Sequence, residues 1–292
     1  MVSLALLAIR LTIIMSALIL IALAVGRVIF AHDTNVVFVS TRTGDEDVFI
    51  ADMRSGLPVN LTRLEGWDGA SARSRDRIAF SSSRTGNPEI YTISVYGGDV
   101  QQLTDNHVRD TDPVLSADGE RIAFVSDREG DWNIYVMDSD GSGQRRITDS
   151  TNDDQSPVWS PDGSRLAFVS YRRGNWAIFT ASPDGSDLRE LTPNTRQRYI
   201  DPAWSPDGLT IAFASDRRGR NFEIYTMSAD GGDMTRLTSN PALDMSPSFS
   251  SDGDWIIFES WRDGNPEIYR MDYTGEQITR LTYDEGRDTD PS

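Results

Sequence analysis

Residues 160–171 read Ser-Pro-Asp-Gly-Ser-Arg-Leu-Ala-Phe-Val-Ser-Tyr and follow directly on Val158-Trp159. The stretch predicts a hairpin, because Pro presets φ for a type I turn, Asp bonds its own backbone and Gly takes the left-handed position that closes the turn. The apolar runs on both sides are then paired strands. Related stretches recur around Asp118-Gly119, Asp207-Gly208 and Asp252-Gly253. One structural unit is therefore repeated along the chain.

A phenylalanine in the strand after this turn measures the length of the unit. It recurs at intervals of 42 to 45 residues, at Phe38, Phe80, Phe124, Phe168, Phe213 and Phe258. Each unit continues with an Arg-containing turn, an aromatic strand, an Asp-Gly hairpin and a short strand such as Ile147-Thr148. Four strands per unit and six units of blade length predict an all-β fold, a six-bladed β-propeller of four-stranded antiparallel blades.

The composition agrees with this prediction and excludes several functions. A chain of 292 residues that is 38% hydrophobic can bury a large core. The absence of cysteine excludes disulfides, thiolate metal sites and thiol nucleophiles. The net charge of −17 argues against nucleic-acid binding, which needs clustered Lys and Arg. A solvated acidic surface is the simplest explanation of the charge.

The N-terminus carries a membrane signal. Residues 4–25 are apolar except for Arg10, Thr12 and Ser16, and a helix of this length spans about 33 Å. We predict a membrane anchor or signal peptide at 1–27, a linker at 28–34 and the propeller at 35–292. The run 11–26 also fits a signal-peptide core with a cleavage site near 22–26, but Arg10 can snorkel, which favours a retained transmembrane helix. Both alternatives predict an extracytoplasmic domain, in the periplasm or at the cell surface, and the retained helix would anchor it to the cytoplasmic membrane.

The two ends of the repeat region complement each other. The first unit opens on its Phe strand at Asn35 without a preceding inner strand, whereas residues 288–292 copy the start of an inner strand. Pairing these ends would remove two free sheet edges, so we predict that residues 288–292 lie beside residues 36–40. Either a short stub closes the ring, or the sequence is a fragment of a longer chain. The recurring tryptophans are predicted to pack between blades, and these are Trp132, Trp159, Trp176, Trp204, Trp255 and Trp261.

The complete unit resembles a known family. Asp-x-x-Pro-x-Trp-Ser-Pro-Asp-Gly, then Ile-Ala-Phe-x-Ser-x-Arg, then Ile-Tyr-x-Met and Leu-Thr, is similar to the repeat of the TolB-type, WD40-like six-bladed propellers, over residues 35–292. The best-known member is a periplasmic protein of the Tol–Pal envelope system that binds partner proteins through its propeller. An α/β domain precedes the propeller in that protein, whereas an apolar segment does so in this sequence. The resemblance implies a protein-interaction module and leaves a specific Tol–Pal role open.

Acidic residues at the start of each inner strand are the candidate binding site. They stand three residues before the strand's proline or directly before it, and Asp68 is assigned to the second position. Because inner strands line the central channel, they predict an acidic channel mouth that attracts a divalent cation or a basic peptide. Alternatively, each Asp accepts backbone N–H groups or pairs with an arginine such as Arg128, Arg172 or Arg217. The candidate residues are Asp110, Asp112, Asp154, Tyr199, Asp201, Asp244, Asp288 and Asp290.

Catalysis finds little support in the sequence. The histidines, His32 and His107, lie in the linker and between blades, and no nucleophile elbow or phosphate-binding loop occurs. We predict no enzyme activity, no cofactor and no dedicated metal site, although the turn residues Asp118, Asp162, Asp207 and Asp252 are weaker calcium candidates. The predicted function is a membrane-tethered interaction module that binds an envelope protein or peptide. The alternatives are a sensor ectodomain for a small ligand or sugar and, third, a hydrolase or lyase.

Overall fold

Six four-stranded antiparallel sheets make up the fold. The computed structural model describes residues 35–52, 57–63, 66–193, 195–219 and 221–292. Within them every strand belongs to one of the six sheets, which confirms the predicted all-β six-bladed propeller. No helix in these residues has the length and apolar character needed to cross a membrane. The predicted anchor or signal peptide at 1–27 and the linker at 28–34 lie outside the described residues.

The blades are numbered in chain order, and their strands are given from the channel outwards. Blade 1 contains β24 (Asp288–Thr289), β1 (Asn35–Ser40), β2 (Asp47–Asp52) and β3 (Pro58–Asn60). Blade 2 contains β4 (Asp68–Ser74), β5 (Arg77–Ser82), β6 (Glu89–Ser94) and β7 (Gln101–Gln102). Blade 3 contains β8 (Asp110–Leu115), β9 (Arg121–Ser126), β10 (Asn133–Asp138) and β11 (Arg145–Arg146).

The remaining three blades follow the same order. Blade 4 contains β12 (Asp154–Trp159), β13 (Leu166–Ser170), β14 (Ala177–Ala181) and β15 (Arg189–Glu190). Blade 5 contains β16 (Tyr199–Trp204), β17 (Thr210–Ser215), β18 (Glu223–Ser228) and β19 (Thr235–Arg236). Blade 6 contains β20 (Asp244–Phe249), β21 (Trp255–Ser260), β22 (Glu267–Asp272) and β23 (Thr279–Arg280).

An aromatic pair forms the centre of each blade. The six repeated phenylalanines are fully buried, and each one lies opposite an aromatic residue of the next strand. The ring centroids are 5.7 to 6.2 Å apart, within the range of favourable aromatic contacts. The pairs are Phe38–Phe49, Phe80–Tyr91, Phe124–Tyr135, Phe168–Phe179, Phe213–Tyr225 and Phe258–Tyr269.

The repeated Ser-x-Arg turn has a structural explanation. In blade 4, Arg172 donates from Nε to Ser170 Oγ and from Nη2 to both carboxylate oxygens of Asp154, at 3.0 and 3.2 Å. Its guanidinium also lies 4.8 Å from the ring centre of Phe179. The arginine thus joins the inner strand to the blade core. Equivalent pairs are Arg42–Asp288, Arg84–Asp68, Arg128–Asp110 and Arg262–Asp244.

The ring closes as the sequence predicts. Strand β24 pairs antiparallel with β1, with Ser40 opposite Asp288 and Val39 opposite Thr289. Val37 and Ser292 then exchange two backbone hydrogen bonds of 2.9 and 2.8 Å. The C-terminal residues therefore supply the innermost strand of the first blade.

Some of the tryptophans pack between blades, as predicted, and some also line the channel. Trp159 and Trp204 are buried in clusters that join neighbouring blades. Trp132 packs against the cluster between blades 3 and 4 and also lines the entrance of the central channel, as Trp261 does. A single sequence pattern therefore covers residues with two different roles.

Candidate functional site

The central channel connects two faces of the propeller. The mouth face is the end at which Ser40 and Asp288 pair, and the base face is the end at which Asn35 begins β1. A cavity of about 660 Å³ opens at the mouth, and a second of about 400 Å³ lies towards the base. Both cavities are lined by Asp112, Asp201 and Asp290, so these carboxylates mark the waist of the channel.

A β-bulge places the waist residues. The register of inner strands shifts at the same point in blades 2 to 6, for example between Thr111 and Val114. In blades 3 to 6 the bulged residue adopts a left-handed backbone with φ near 50°, as does Asp290 in blade 1, and Asp tolerates this conformation better than most residues. The proline that follows has no backbone N–H to donate to the neighbouring strand, so it is tolerated at a bulge. The left-handed residues are Asp112, Ser156, Asp201, Ser246 and Asp290.

The waist carboxylates alternate with small residues around the axis. Asp112, Asp201 and Asp290 belong to blades 3, 5 and 1, and Ser156 and Ser246 to blades 4 and 6. The Ser246 amide donates to Asp201 Oδ2 at 3.3 Å, and the Ser246 hydroxyl donates to Asp290 Oδ1 at 3.4 Å. The waist therefore holds three acids, one on every second blade, and has approximate threefold symmetry.

Burial and mutual repulsion raise the pKa of these acids. The channel wall raises the pKa of Asp112 to about 6 and that of Asp201 to about 7, and the Asp290 carboxylate adds to both shifts. Burial likewise raises the pKa of Asp290, although it is the most open of the three to channel water. At the mouth, burial raises the pKa of Glu259 to about 7, with further contributions from Asp290 and Asp201. Several acids of the channel therefore change charge near neutral pH.

The structure separates the predicted site residues into two sets. Asp110, Asp154, Asp244 and Asp288 are fully buried and are bound by the arginines of the Ser-x-Arg turns. Tyr199 occupies the same place in blade 5 and is buried against Phe213. These contacts show that the first set stabilises the fold. The binding hypothesis then rests on Asp112, Asp201 and Asp290.

Two further results concern the alignment of the repeat. Asp68 pairs opposite Ser82 as Asp110 pairs opposite Ser126, so Asp68 belongs with the buried acids and its assignment to the position before the proline was wrong. Arg217 was a candidate partner for an inner-strand Asp, but the acid is replaced by Tyr199 in its blade. Blade 5 therefore keeps the arginine of the Ser-x-Arg turn but lacks its acidic partner.

Sequence reasoning missed part of the mouth. Glu46, Trp67 and Glu259 line the 660 Å³ cavity together with Trp132 and Trp261. One signal for the waist was present, because Asp112, Asp201 and Asp290 recur every 89 residues, which is two units. No such periodicity marks Glu46 or Glu259, because each occurs at its position in a single blade.

The channel mouth and the Asp-Gly turns are the two places where the sequence suggests a divalent cation. Among the residues that the structure describes, no group of three His, Cys, Asp or Glu side chains lies close enough to hold a metal ion. The turn aspartates are satisfied internally, since Asp162 Oδ1 accepts hydrogen bonds from the Ser160 hydroxyl at 2.6 Å and from the Ser164 amide at 3.0 Å. These contacts lower the pKa of Asp162 to about 2 and account for the turn without calcium.

Replacing Asp201 with Asn is expected to stabilise the protein at pH 8 and not at pH 4. The folded-state pKa of about 7 lies above the ordinary 3.8, so the folded protein retains a proton that the unfolded chain loses, and stability falls as pH rises between these values. Since one pKa unit corresponds to about 1.4 kcal/mol and channel water screens part of the effect, we expect a gain of about 2 kcal/mol at pH 8. Urea unfolding at both pH values measures it.

The control for this experiment is Asp207→Asn. Hydrogen bonds from Ser205 and the Leu209 amide lower the pKa of Asp207, so its replacement should destabilise the protein at pH 8. A gain for Asp201→Asn that is equal at pH 4 and pH 8 would contradict the account of the waist.

Comparison with known proteins agrees with the propeller fold. A family model described as PD40, TolB beta propeller domain, matches residues 29–197 and 136–292. The Tol-Pal system protein TolB of Desulfosudis oleivorans is 43% identical over 44 residues, which are 15% of this chain and only 10% of that protein. TolB from Acinetobacter baumannii has a crystal structure that matches with a TM-score of 0.79 at 24% identity, covering 92% of this chain and 69% of that one.

An enzyme shares the fold as well. The oligogalacturonate lyase of Vibrio parahaemolyticus matches with a TM-score of 0.59 at 15% identity, over 85% of this chain and 74% of that one. At these identities the structural likeness shows the fold alone, so function has to be argued from the site.

Proposed function

This chain belongs to the TolB beta propeller family, and we propose that it is an interaction module of the cell envelope that binds a partner protein through the mouth of its channel. The observation that carries the proposal is the 660 Å³ mouth cavity, which combines the indoles of Trp67, Trp132 and Trp261 with acidic groups. Arg109 and Arg287 also line it and lie over the Trp132 and Trp261 rings. Large aromatic side chains are the residues that most often anchor protein interfaces. A cavity of this size admits a short peptide segment of a partner.

The position of the first propeller strand supports a tethered arrangement. Because Asn35 starts β1 at the base face, the seven residues 28–34 would connect a membrane anchor at 1–27 to that face, over at most about 25 Å. The mouth would then point away from the membrane and be open to a partner. We propose on this basis that the propeller lies on the extracytoplasmic side of the cytoplasmic membrane.

Exposed apolar side chains on the base face point to a second contact surface. The loops after the third strands and the turn before β17 lie at the same end as Asn35. Large exposed apolar residues lie on these loops and on this turn, close to the proposed membrane side. They are Leu57, Tyr96, Val100, Leu188, Leu209, Tyr273 and Ile278.

A ligand-binding ectodomain is the second candidate function. It is favoured by the same cavity, because converging indoles and carboxylates also suit a sugar or another small polar ligand. Catalysis has weaker support, since the waist acids are held at repeated backbone positions of three blades and the described residues contain one histidine, His107, outside the mouth. We therefore propose binding without chemistry.

Site-specific photo-crosslinking in cells tests the proposed function. A photoreactive amino acid at Thr289, which lines the mouth cavity, should trap one discrete protein, and the same group at Leu209 on the base face should not trap it. The identified protein must then bind the purified propeller, with affinity reduced at least about tenfold by Trp261→Ala. Trapping of no protein at Thr289, together with binding of a small molecule in the cavity, would overturn the proposal in favour of the sensor.

A further inference from the structure

Departures from the repeat mark residues that the fold itself does not need. In a repeat protein a side chain that builds the blade recurs in every blade, as the Phe and Ser-x-Arg residues do here. A residue that differs in one blade, and lies in a cavity, is therefore a candidate for function.

Two glutamates break the pattern. Glu46 precedes β2 and accepts the backbone hydrogen bond of the next inner strand, a position occupied in the other blades by Pro88, Trp132, Trp176, Phe222 and Pro266. Glu259 lies in β21 opposite Met245, and its equivalents are Val39, Ser81, Val125, Val169 and Ala214. Both glutamates line the mouth cavity, on the adjacent blades 1 and 6.

Two tryptophans accompany these glutamates. Trp67 of blade 2 donates its indole N–H to Glu46, and Trp261 of blade 6 donates its indole N–H to Glu259 Oε1 at 2.7 Å. The Trp67 ring lies directly over Gly69, where a Cβ would come within 2.5 Å of the ring. A glycine thus allows this tryptophan to turn into the mouth. We call Glu46, Trp67, Gly69, Glu259 and Trp261 the mouth arc.

Glu259 forms no direct ion pair of the kind that comparable buried acids have. Arg287, which also lines the mouth and lies 5.7 Å from the centre of the Trp261 ring, lowers the pKa of Glu259 without contacting it as an ion pair. The Glu259 side chain is 7% exposed, and the ion pairs among the described residues do not include it, whereas the buried Asp154 and Asp244 each have an arginine. An ionised, buried carboxylate without an ion pair is unfavourable unless an external cation neutralises its charge. The second oxygen of Glu259 is available to such a cation, because the Trp261 bond uses Oε1.

We propose, building on the interaction function above, that the mouth arc binds the cationic side chain of a lysine or arginine in an extended segment of the partner protein. The indoles of Trp67 and Trp261 pack along the aliphatic stem or the guanidinium plane, and the two glutamates and the waist acids neutralise its charge. An organic cation fits better than a metal ion, because the acids do not converge into a metal-binding group among the described residues. The surface charge of −17 adds a long-range attraction for such a segment.

A positional-scanning array of peptides, probed with the purified protein at pH 7.5, tests this inference. Binding should require Lys or Arg at one position, and glutamine or citrulline there should reduce it about tenfold or more. Glu259→Gln and Glu46→Gln should remove the preference for a basic residue. Gly69→Thr introduces the residue found at the equivalent positions 111 and 289, and it should weaken binding by displacing Trp67.

The control is Glu276→Gln, which removes the same charge from an exposed hairpin on the base face. An equal loss in this control would show a general charge effect and overturn the inference. Peptide binding with no basic preference would also overturn it while leaving the proposed function intact, and failure of every peptide to bind would count against both. Free arginine and CaCl₂ are tested as competitors, and competition by Ca²⁺ alone would assign the arc to a metal ion instead.

Discussion

Removing residues 288–292 is expected to lower the free energy of unfolding by about 5 kcal/mol, because the first blade loses its innermost strand and Arg42 loses its buried partner Asp288. The Arg42–Asp288 contact is 2.6 Å long and its carboxylate is fully buried. The deletion also removes the two Val37–Ser292 backbone hydrogen bonds and leaves β1 as an open sheet edge. Urea unfolding of the intact and shortened proteins measures the difference.

Hydrogen exchange shows where the loss occurs. Amides of residues 36–50 in blade 1 should exchange faster after the deletion, while those of residues 168–179 in blade 4 should change little, because local opening follows the lost contacts. Exchange that rises equally in all blades would mean that the ring opens as one unit. A first blade that stays protected would show that β24 contributes little to closure.

Replacing Arg172 with Met is expected to cost about 3 to 5 kcal/mol, because it leaves the fully buried Asp154 without its positive partner. Burial already raises the pKa of Asp154, and the arginine opposes that shift. Without the arginine the carboxyl group should take up a proton more readily, so the loss of stability should be larger at pH 8 than at pH 5.

The protein supplies a matched control in blade 5. Arg217 follows Ser215 just as Arg172 follows Ser170, but the inner strand carries Tyr199 in place of an acid. Arg217→Met therefore removes packing without leaving a buried charge, and we expect a cost of about 1 kcal/mol. Similar losses in both variants, or a loss for Arg172→Met that is independent of pH, would show that packing and not the ion pair determines the stability.

Comparison of Arg172→Met with Asp201→Asn separates the fold residues from the channel residues. The paired acids stabilise the blades, whereas Asp112, Asp201 and Asp290 are raised in pKa by burial without an arginine of this kind. Their cost in stability at neutral pH fits a site whose charge serves binding.

The sequence by itself determined the architecture. The turn Ser-Pro-Asp-Gly and the six phenylalanines set the strand pairs and their number, because turn geometry and burial are local properties that each unit repeats. The first unit lacks an inner strand, and residues 288–292 copy the start of one. This also predicted that residues 288–292 close blade 1, since an open sheet edge is unfavourable.

Only the tertiary structure decided which acids face the channel. Asp110 and Asp112 are two residues apart and would share a face of a regular strand, but the bulge at Asp112 turns its backbone to φ 50° and separates them. The mouth arc likewise joins Glu46 and Trp67 to Glu259 and Trp261, which are about two hundred residues away along the chain and become neighbours when the ring closes. The local sequence pattern does not predict such contacts, because they depend on the closed geometry of all six blades.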